Sequence, residues 1–328
     1  MAWAAKQSGA SSAGSGLMHL PTQNSILLSS LTPRLGPDAL REPCELKVSD
    51  FDDVIYKLFV PPEAPNMITL HIGLRDWANL RANGGQSALD SNFPGCETSP
   101  DEGFDCAIVV NADSPPKGPW GSTGEACAAK MADIKTLLVG SPFDAAFASL
   151  SAGSSSPGSI TVVDMHKPTA AGGGKCYIVP KDDRVTAVFA VDFPDETDRA
   201  IARIFLQEFV EAQRSVNNCP PAAYSRGHEP PTEVQGVEGI AEEGIAGFVS
   251  FTLFGDHVGD GKRRGTAVGM LVNFLTYLQY HVKATKTYMH MRMRSKVNGL
   301  LQVLSRAKQE SSEVKEKKTF QGKSFQRA

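Results

Sequence analysis

The sequence predicts an α+β protein: two similar α/β sandwich domains, each a mixed or antiparallel sheet covered by helices, followed by one long C-terminal helix. Three observations carry this. Both halves of the chain run strand, strand, strand, helix, strand, helix, a match in order and not in letters. The stretch 151–159, S-A-G-S-S-S-P-G-S, separates them with a flexible, turn-forming composition. Residues 265–307 then form a proline-free run that reads as one helix, roughly 65 Å long at ~1.5 Å per residue, more than one small domain covers. The expected organisation is a disordered extension over 1–24, a first α/β domain over 25–152 and a second over 153–263. A long helix over 264–308 belongs to the second domain, and a basic tail occupies 309–328.

Alternating apolar residues bounded by turn signals place strands at 45–49, 54–60 and 67–74, followed by a short helix at 75–81. A strand at 104–110 and a helical segment at 125–150, broken near Gly140, Ser141 and Pro142, complete the first half. Past the linker, 160–165, 176–179 and 184–191 read as strands and 196–214 as an amphipathic helix. That helix gathers Ile201, Ile204, Phe205, Glu208 and Phe209 on one face, with Arg203, Gln207 and Glu211 on another. A strand at 247–254 precedes the long helix. Pro61, Pro62 and Pro65, the Gly/Pro-rich stretch 92–124 and Gly172 to Gly174 mark loops.

A chain of 328 residues with 41% hydrophobic content buries an ordinary core and suits two domains. No run approaches the ~18 to 20 apolar residues of a membrane span, and 1–16 lacks both the apolar segment of a secretion signal and an Arg-rich face. The expected location is the cytoplasm. Cys44, Cys96, Cys106, Cys127, Cys176 and Cys219 are widely spaced, with no C-x-x-C pair and no histidine at zinc spacing, which reads as reduced, mostly buried thiols.

The net charge of −3 conceals two segments of opposite sign. From residue 262 to the end there are 15 Lys and Arg against 3 Glu, a balance of +12, which leaves 18 basic and 33 acidic groups, −15, in the rest. On the helix, Leu271, Phe274, Leu275, Leu278, Val282, Met289, Met293, Leu300 and Leu304 share one stripe, and Tyr277, Tyr280, Tyr288 and Met291 lie on the far side. A helix apolar on two sides is normally sandwiched, one face on its own domain and the other on a partner. Lys283, Lys286, His290 and Arg294 make a basic ridge beside the stripe. A solvated face that keeps the helix soluble accounts for it, and so does an acidic partner, because Lys308, Lys315, Lys317, Lys318, Lys323 and Arg327 continue the charge uncompensated. Actin filaments, nucleic acid and anionic membranes are all acidic.

No catalytic constellation is present. His228-Glu229 precedes two prolines and has no second helical histidine; the phosphate-loop glycine upstream of Gly174-Lys175 and Gly322-Lys323-Ser324 is replaced by Thr169 and Lys317. No G-x-S-x-G elbow occurs, and the neighbouring pairs Asp52-Asp53 and Asp182-Asp183 do not make a general acid/base pair. The reading is a non-enzymatic protein without cofactor or metal.

Several segments, in order, resemble a known family. They are K-D-D-R-V-T-A-V-F at 181–189, F-L-Q-E-F at 205–209, H-E-P-P at 228–231, F-T-L-F at 251–254, Y-L-Q-Y-H-V-K at 277–283, Y-M-H-M-R-M-R-S-K at 288–296 and G-K-S-F at 322–325. S-I-L-L at 25–28 and D-F-D-D-V-I-Y at 50–56 match the family's start. The family is subunit 2, the 34 kDa-class subunit, of the actin-related protein 2/3 complex. The resemblance implies a scaffold of two similar α/β domains whose long helix packs antiparallel on that of subunit 4. That pair would hold the two actin-related proteins and contact the side of the mother actin filament during branched nucleation. It carries filament contact to Lys283, Lys286, Arg292, Arg294, Lys296 and Lys323, and partner-helix packing to Leu271, Phe274, Leu275, Leu278, Val282, Met289, Met293, Leu300 and Leu304. It also implies residence in the cortical actin cytoskeleton. Relative to the family pattern, S-R-G-H-E-P-P at 225–231 adds a residue, Asp256 stands at a commonly basic place, and 92–124 and 170–174 are insertions. An RNA-binding α/β module with a basic helix is the alternative, although the glycine-aromatic strand signature that stacks bases is missing.

Overall fold

The computed structural model describes residues 21–36, 40–50, 54–154, 159–169, 172–216, 219–237, 240, 244–306, 317–318 and 324–325. The chain divides into two units, Met1–Lys283 and Ala284–Ala328, and both five-stranded sheets belong to the first.

The body opens with helix α1 (Ser25–Leu35), where Asn24 caps by accepting from the Ile26 and Leu27 amides. Leu27, Leu31 and Leu35, four residues apart, are its buried edge. The first sheet comprises β1 (Cys44–Ser49), β2 (Ile55–Val60), β3 (Met67–Gly73), β4 (Glu97–Thr98) and β5 (Cys106–Asn111), antiparallel throughout in the order β1-β2-β3-β5-β4. Strand β2 buries Tyr56, Leu58 and Val60 and leaves the residues between them half-covered, the period-2 pattern of a sheet packed on one side. Helices α2 (Trp77–Leu80) and α3 (Gln86–Asn92) follow β3, joined across a kink at Asn83 and Gly84, where Gly84 has a φ of 111°. Helices α4 (Gly124–Ala132), α5 (Ile134–Val139) and α6 (Ser141–Ser151) complete this half. The expected single segment over 125–150 therefore breaks twice, at Asp133 as well as near Gly140.

The second sheet repeats the first. Strands β6 (Thr161–Thr169), β7 (Gly172–Pro180), β8 (Arg184–Asp192), β9 (Ala222–Arg226) and β10 (Ile245–Phe254) are antiparallel in the order β6-β7-β8-β10-β9, with helix α7 (Glu196–Gln213) after the third strand. Strands β8 and β10 are buried on both faces. One face meets α7, with Phe209 against Phe251 at 6.0 Å, and the other is closed by Val234 and Ile240 over Tyr177, Val188 and Phe248. Short helix α8 (Gly255–Val258) leads into α9 (Gly261–Arg306), 46 residues long. Two dipeptides, β11 (Lys317–Lys318) and β12 (Ser324–Phe325), pair antiparallel.

The fold class is as the sequence predicts, and three local readings are corrected. Gly172 to Gly174 are not a loop: they begin β7, and a Cβ on Gly174 would stand 2.7 Å from both the Ala190 carbonyl and Leu275, so this glycine permits close packing within a sheet. On α7 the stripe sealed in the body is Asp198, Ala202, Leu206 and Val210, rotated from the expected face, while Ile204 and Glu208 are exposed. The stretch 92–124 contains β4, and α1 and β9 are elements that the pattern did not reveal.

Candidate functional site: the long helix

From Val268 to Val282 helix α9 is core. Residues 271 through 276 are buried without interruption, so the helix there is covered all round. One side lies on the second sheet, where the Phe274 ring sits 4.9 Å from Phe251, 5.0 Å from Phe189 and 6.1 Å from Phe209. The opposite side meets the helices of the first half. A Cβ on Gly140 would come within 2.4 Å of Val268, Gly269 faces Thr22 and Thr136, and the Arg264 guanidinium donates to the Ser151 hydroxyl at 3.3 Å. The sandwich predicted for this helix is thus built, over these residues, by the chain itself.

The burial ends at a specific pairing. The Lys283 ammonium reaches the carboxylate of Asp198, a side chain 1% exposed in the first turn of α7. Two residues earlier the His281 imidazole is stacked on Phe205, with ring planes 13° apart, and meets Tyr277 at 4.3 Å. Its Nε2 is buried without a hydrogen-bond partner, and burial holds its pKa below the usual histidine value.

Beyond Lys283 the character reverses. Tyr288, Met289, Met291, Met293, Val297, Leu300, Leu301, Val303 and Leu304 are all 39–60% exposed. Met289, Met293, Val297, Leu300 and Leu304 follow at spacings of four, four, three and four, which sets them on one face. Arg292 and Lys296 flank that face on one side, His290 and Arg294 on the other. No Asp or Glu occurs anywhere from 261 to 306, so no acid within the helix compensates them. The Arg292 guanidinium lies 5.6 Å over the Tyr288 ring and donates to its hydroxyl at 3.3 Å. The helix thus presents an apolar stripe with cationic borders.

The structure therefore separates residues that the sequence grouped. Of the expected partner-packing set, Leu271, Phe274, Leu275, Leu278 and Val282 are spent on the chain's own core at 8% exposure or less, whereas Met289, Met293, Leu300 and Leu304 are open. Of the expected filament contacts, Lys283 is engaged by Asp198, Lys286 is partly buried with a contact of its own, and Arg292, Arg294 and Lys296 are exposed. Lys323 lies outside the described residues. A second basic group, Arg199 and Arg203 on α7 with Arg226 on β9, was not singled out; its only sequence signal is the i, i+4 spacing of the first two.

Among the described residues no cluster of three His, Cys, Asp or Glu side chains could hold a metal, and no helix is long and apolar enough to cross a membrane. The six cysteines are free, and burial pushes the Cys106 and Cys127 thiols up to about 12, which leaves them inert as nucleophiles.

The fold and site define an α+β protein, a duplicated antiparallel body with a long helix whose last described turns are apolar and exposed. Comparison with known families gives the particular one. The family model described as "Arp2/3 complex, 34 kD subunit p34-Arc" matches residues 70–311. The "Actin-related protein 2/3 complex subunit 2" of Dictyostelium discoideum is 32% identical over 279 residues, covering 84% of this chain and 89% of its own length. The protein of the same name from Schizosaccharomyces pombe is 28% identical over 327 residues, 95% of this chain and 100% of its own. The chain belongs to the p34-Arc family of Arp2/3 complex subunits, and it is not an enzyme.

Proposed function

We propose that this chain is a scaffold subunit of an actin-related protein 2/3 complex in the cytoplasm. Its helix segment 284–306 packs on the long helix of subunit 4, and its basic groups contact the side of a mother actin filament. The observation that carries the reading is the open stripe Met289, Met293, Val297, Leu300 and Leu304. Five large apolar side chains left in water forgo ~1.5 to 3 kcal/mol each, a cost that a stable partner recovers. The cationic borders supply orientation and encounter rate, since filament sides are acidic. Arg292, Arg294 and Lys296 remain as filament contacts; Lys283 is reassigned to holding the helix on the body.

The experiment is affinity purification of the tagged full-length chain from its own cells, with mass spectrometry of what survives a salt wash. The wild-type chain should bring down both actin-related proteins and the small subunits, and Leu300→Asp combined with Leu304→Asp should lose them. Retention of all subunits by that variant would remove the helix-seam reading, and recovery of RNA in their place would favour the nucleic-acid module. In the intact complex, Arg292→Glu, Arg294→Glu and Lys296→Glu together should weaken cosedimentation with filaments, more so at low salt. Unchanged cosedimentation would make these side chains a solvated border.

A further inference from the structure

The outer face of α7 and the β9–β10 end of the second sheet enclose an open cavity of about 770 Å³, well away in sequence from the exposed helix segment. Three arginines line it: Arg199 and Arg203, one turn apart on α7, and Arg226 at the end of β9. Among the described residues no carboxylate pairs with any of them. Two are held in place by backbone. The Arg203 Nε donates to the Ala246 carbonyl at 3.2 Å and the Arg199 Nη2 to the Pro194 carbonyl at 3.3 Å, which leaves their remaining N–H groups for another acceptor. The Arg199 Nε is buried with no partner at all. Tyr224 shares the Ala246 carbonyl, at 3.3 Å, and the guanidinium charges of Arg203 and Arg226 both act on its phenol. Nearby, His228 at the rim pairs with Glu229 at 3.2 Å.

The rest of the lining is apolar. Ala200 and Ile204 from α7, Ile245 from β10 and the Tyr224 ring share the lining with the cations, and Ile204 is 62% exposed. A bare phosphate would satisfy the arginines and leave this floor wet. A short acidic peptide satisfies both when two of its carboxylates and an apolar side chain face the cavity together, the carboxylates on the arginines and the apolar group on the floor. Guanidiniums with N–H groups to spare and no carboxylate partner among the described residues suit acceptors in bidentate geometry, which carboxylates provide.

We infer that this cavity is a docking site for an acidic peptide segment of a partner protein, its carboxylates taken by Arg199, Arg203 and Arg226 and an apolar side chain seated on Ile204 and Ile245. The site is separate from the helix seam and does not depend on it.

The test uses the full-length chain as purified with its associated proteins. The probe is a fluorescein-labelled eight-residue peptide of alternating glutamate and leucine, read by anisotropy, with a glutamine-leucine peptide as control. Saturable binding of the glutamate probe alone is expected. Arg226→Gln should weaken it about tenfold, the scale of one charge-assisted hydrogen bond, and Arg203→Gln with Arg226→Gln further. Ile204→Ser should weaken it a few-fold. Arg226 makes none of the backbone hydrogen bonds above, so its variant keeps the fold and decides the matter if the double variant melts early. No saturable binding, or equal binding by Arg226→Gln, overturns the proposal. Displacement by inorganic phosphate with Ile204→Ser behaving as wild type overturns the peptide in favour of a simple anion site.

Discussion

Helix α9 carries two stretches of similar apolar spacing and opposite surroundings. From Val268 to Val282 every large apolar side chain but Met270 and the partly covered Tyr277 and Tyr280 is buried, with the Phe274 ring packed among three other phenylalanines. From Tyr288 to Leu304 the apolar side chains are open, and the intervening charges are all positive. Periodicity states that a helix face will be covered; it does not state by what. The first stretch is covered by its own chain, the second sheet on one side and helices of the first half on the other, and the second is exposed. Lys283 on Asp198 marks the change from one to the other.

The largest effect that distinguishes the two stretches is on folding. Phe274→Ala should cost about 3 to 5 kcal/mol, the range for deleting a buried aromatic, read by urea unfolding of the full-length chain. A loss below about 1 kcal/mol would mean that the buried stretch is not core. Lys283→Met should cost about 2 kcal/mol, because it strands a carboxylate that is 1% exposed; this is below the range for a fully buried pair, since the lysine side chain is 39% exposed. Adding Asp198→Asn should restore most of it. If the double variant is no better than the single one, the pairing does not anchor the helix.

Acid should act more weakly, through His281 in the buried stretch and through His257 and His71 outside it, each with a pKa lowered by burial. All three lie below the ordinary 6.5 in the folded state, so the unfolded chain takes up protons first. Their contribution to stability is whole above pH 6.5 and is lost as pH falls below it. His281→Phe should flatten that slope, and an unaltered slope would locate the acid sensitivity elsewhere. Smallest of all on folding is Leu300→Asp with Leu304→Asp, expected to move unfolding by no more than about 0.5 kcal/mol while abolishing association. A folding loss as large as that of Phe274→Ala would make the two stretches alike and end the comparison.

Much of the fold was legible because it rests on local patterns. The strand-helix order of both halves and the long proline-free helix follow from alternation and periodicity within one element. The elements that escaped have little local signal. Strand β4 is two residues long, β9 is a polar edge strand between prolines and Gly227, and α1 carries Pro33 with only three leucines to mark its face. Of the candidate site, the stripe and its basic borders were readable, but not where along the helix the stripe becomes available. Ile204 was placed in the core by its neighbours' spacing, although the rotation of α7 that buries Ala202, Leu206 and Val210 leaves it over the arginine cavity.

The sequence by itself determined the class of fold, the charge segregation toward the C-terminal end and the absence of catalytic motifs, because residue type and short-range spacing set these. The tertiary structure alone decided that Leu271 to Val282 serve the chain's own core, that Lys283 belongs to Asp198, and that Arg199, Arg203 and Arg226 converge on one cavity. Those pairings join residues distant in the sequence, 85 positions apart for Lys283 and Asp198, and only the packing of sheet on helix brings such groups into contact.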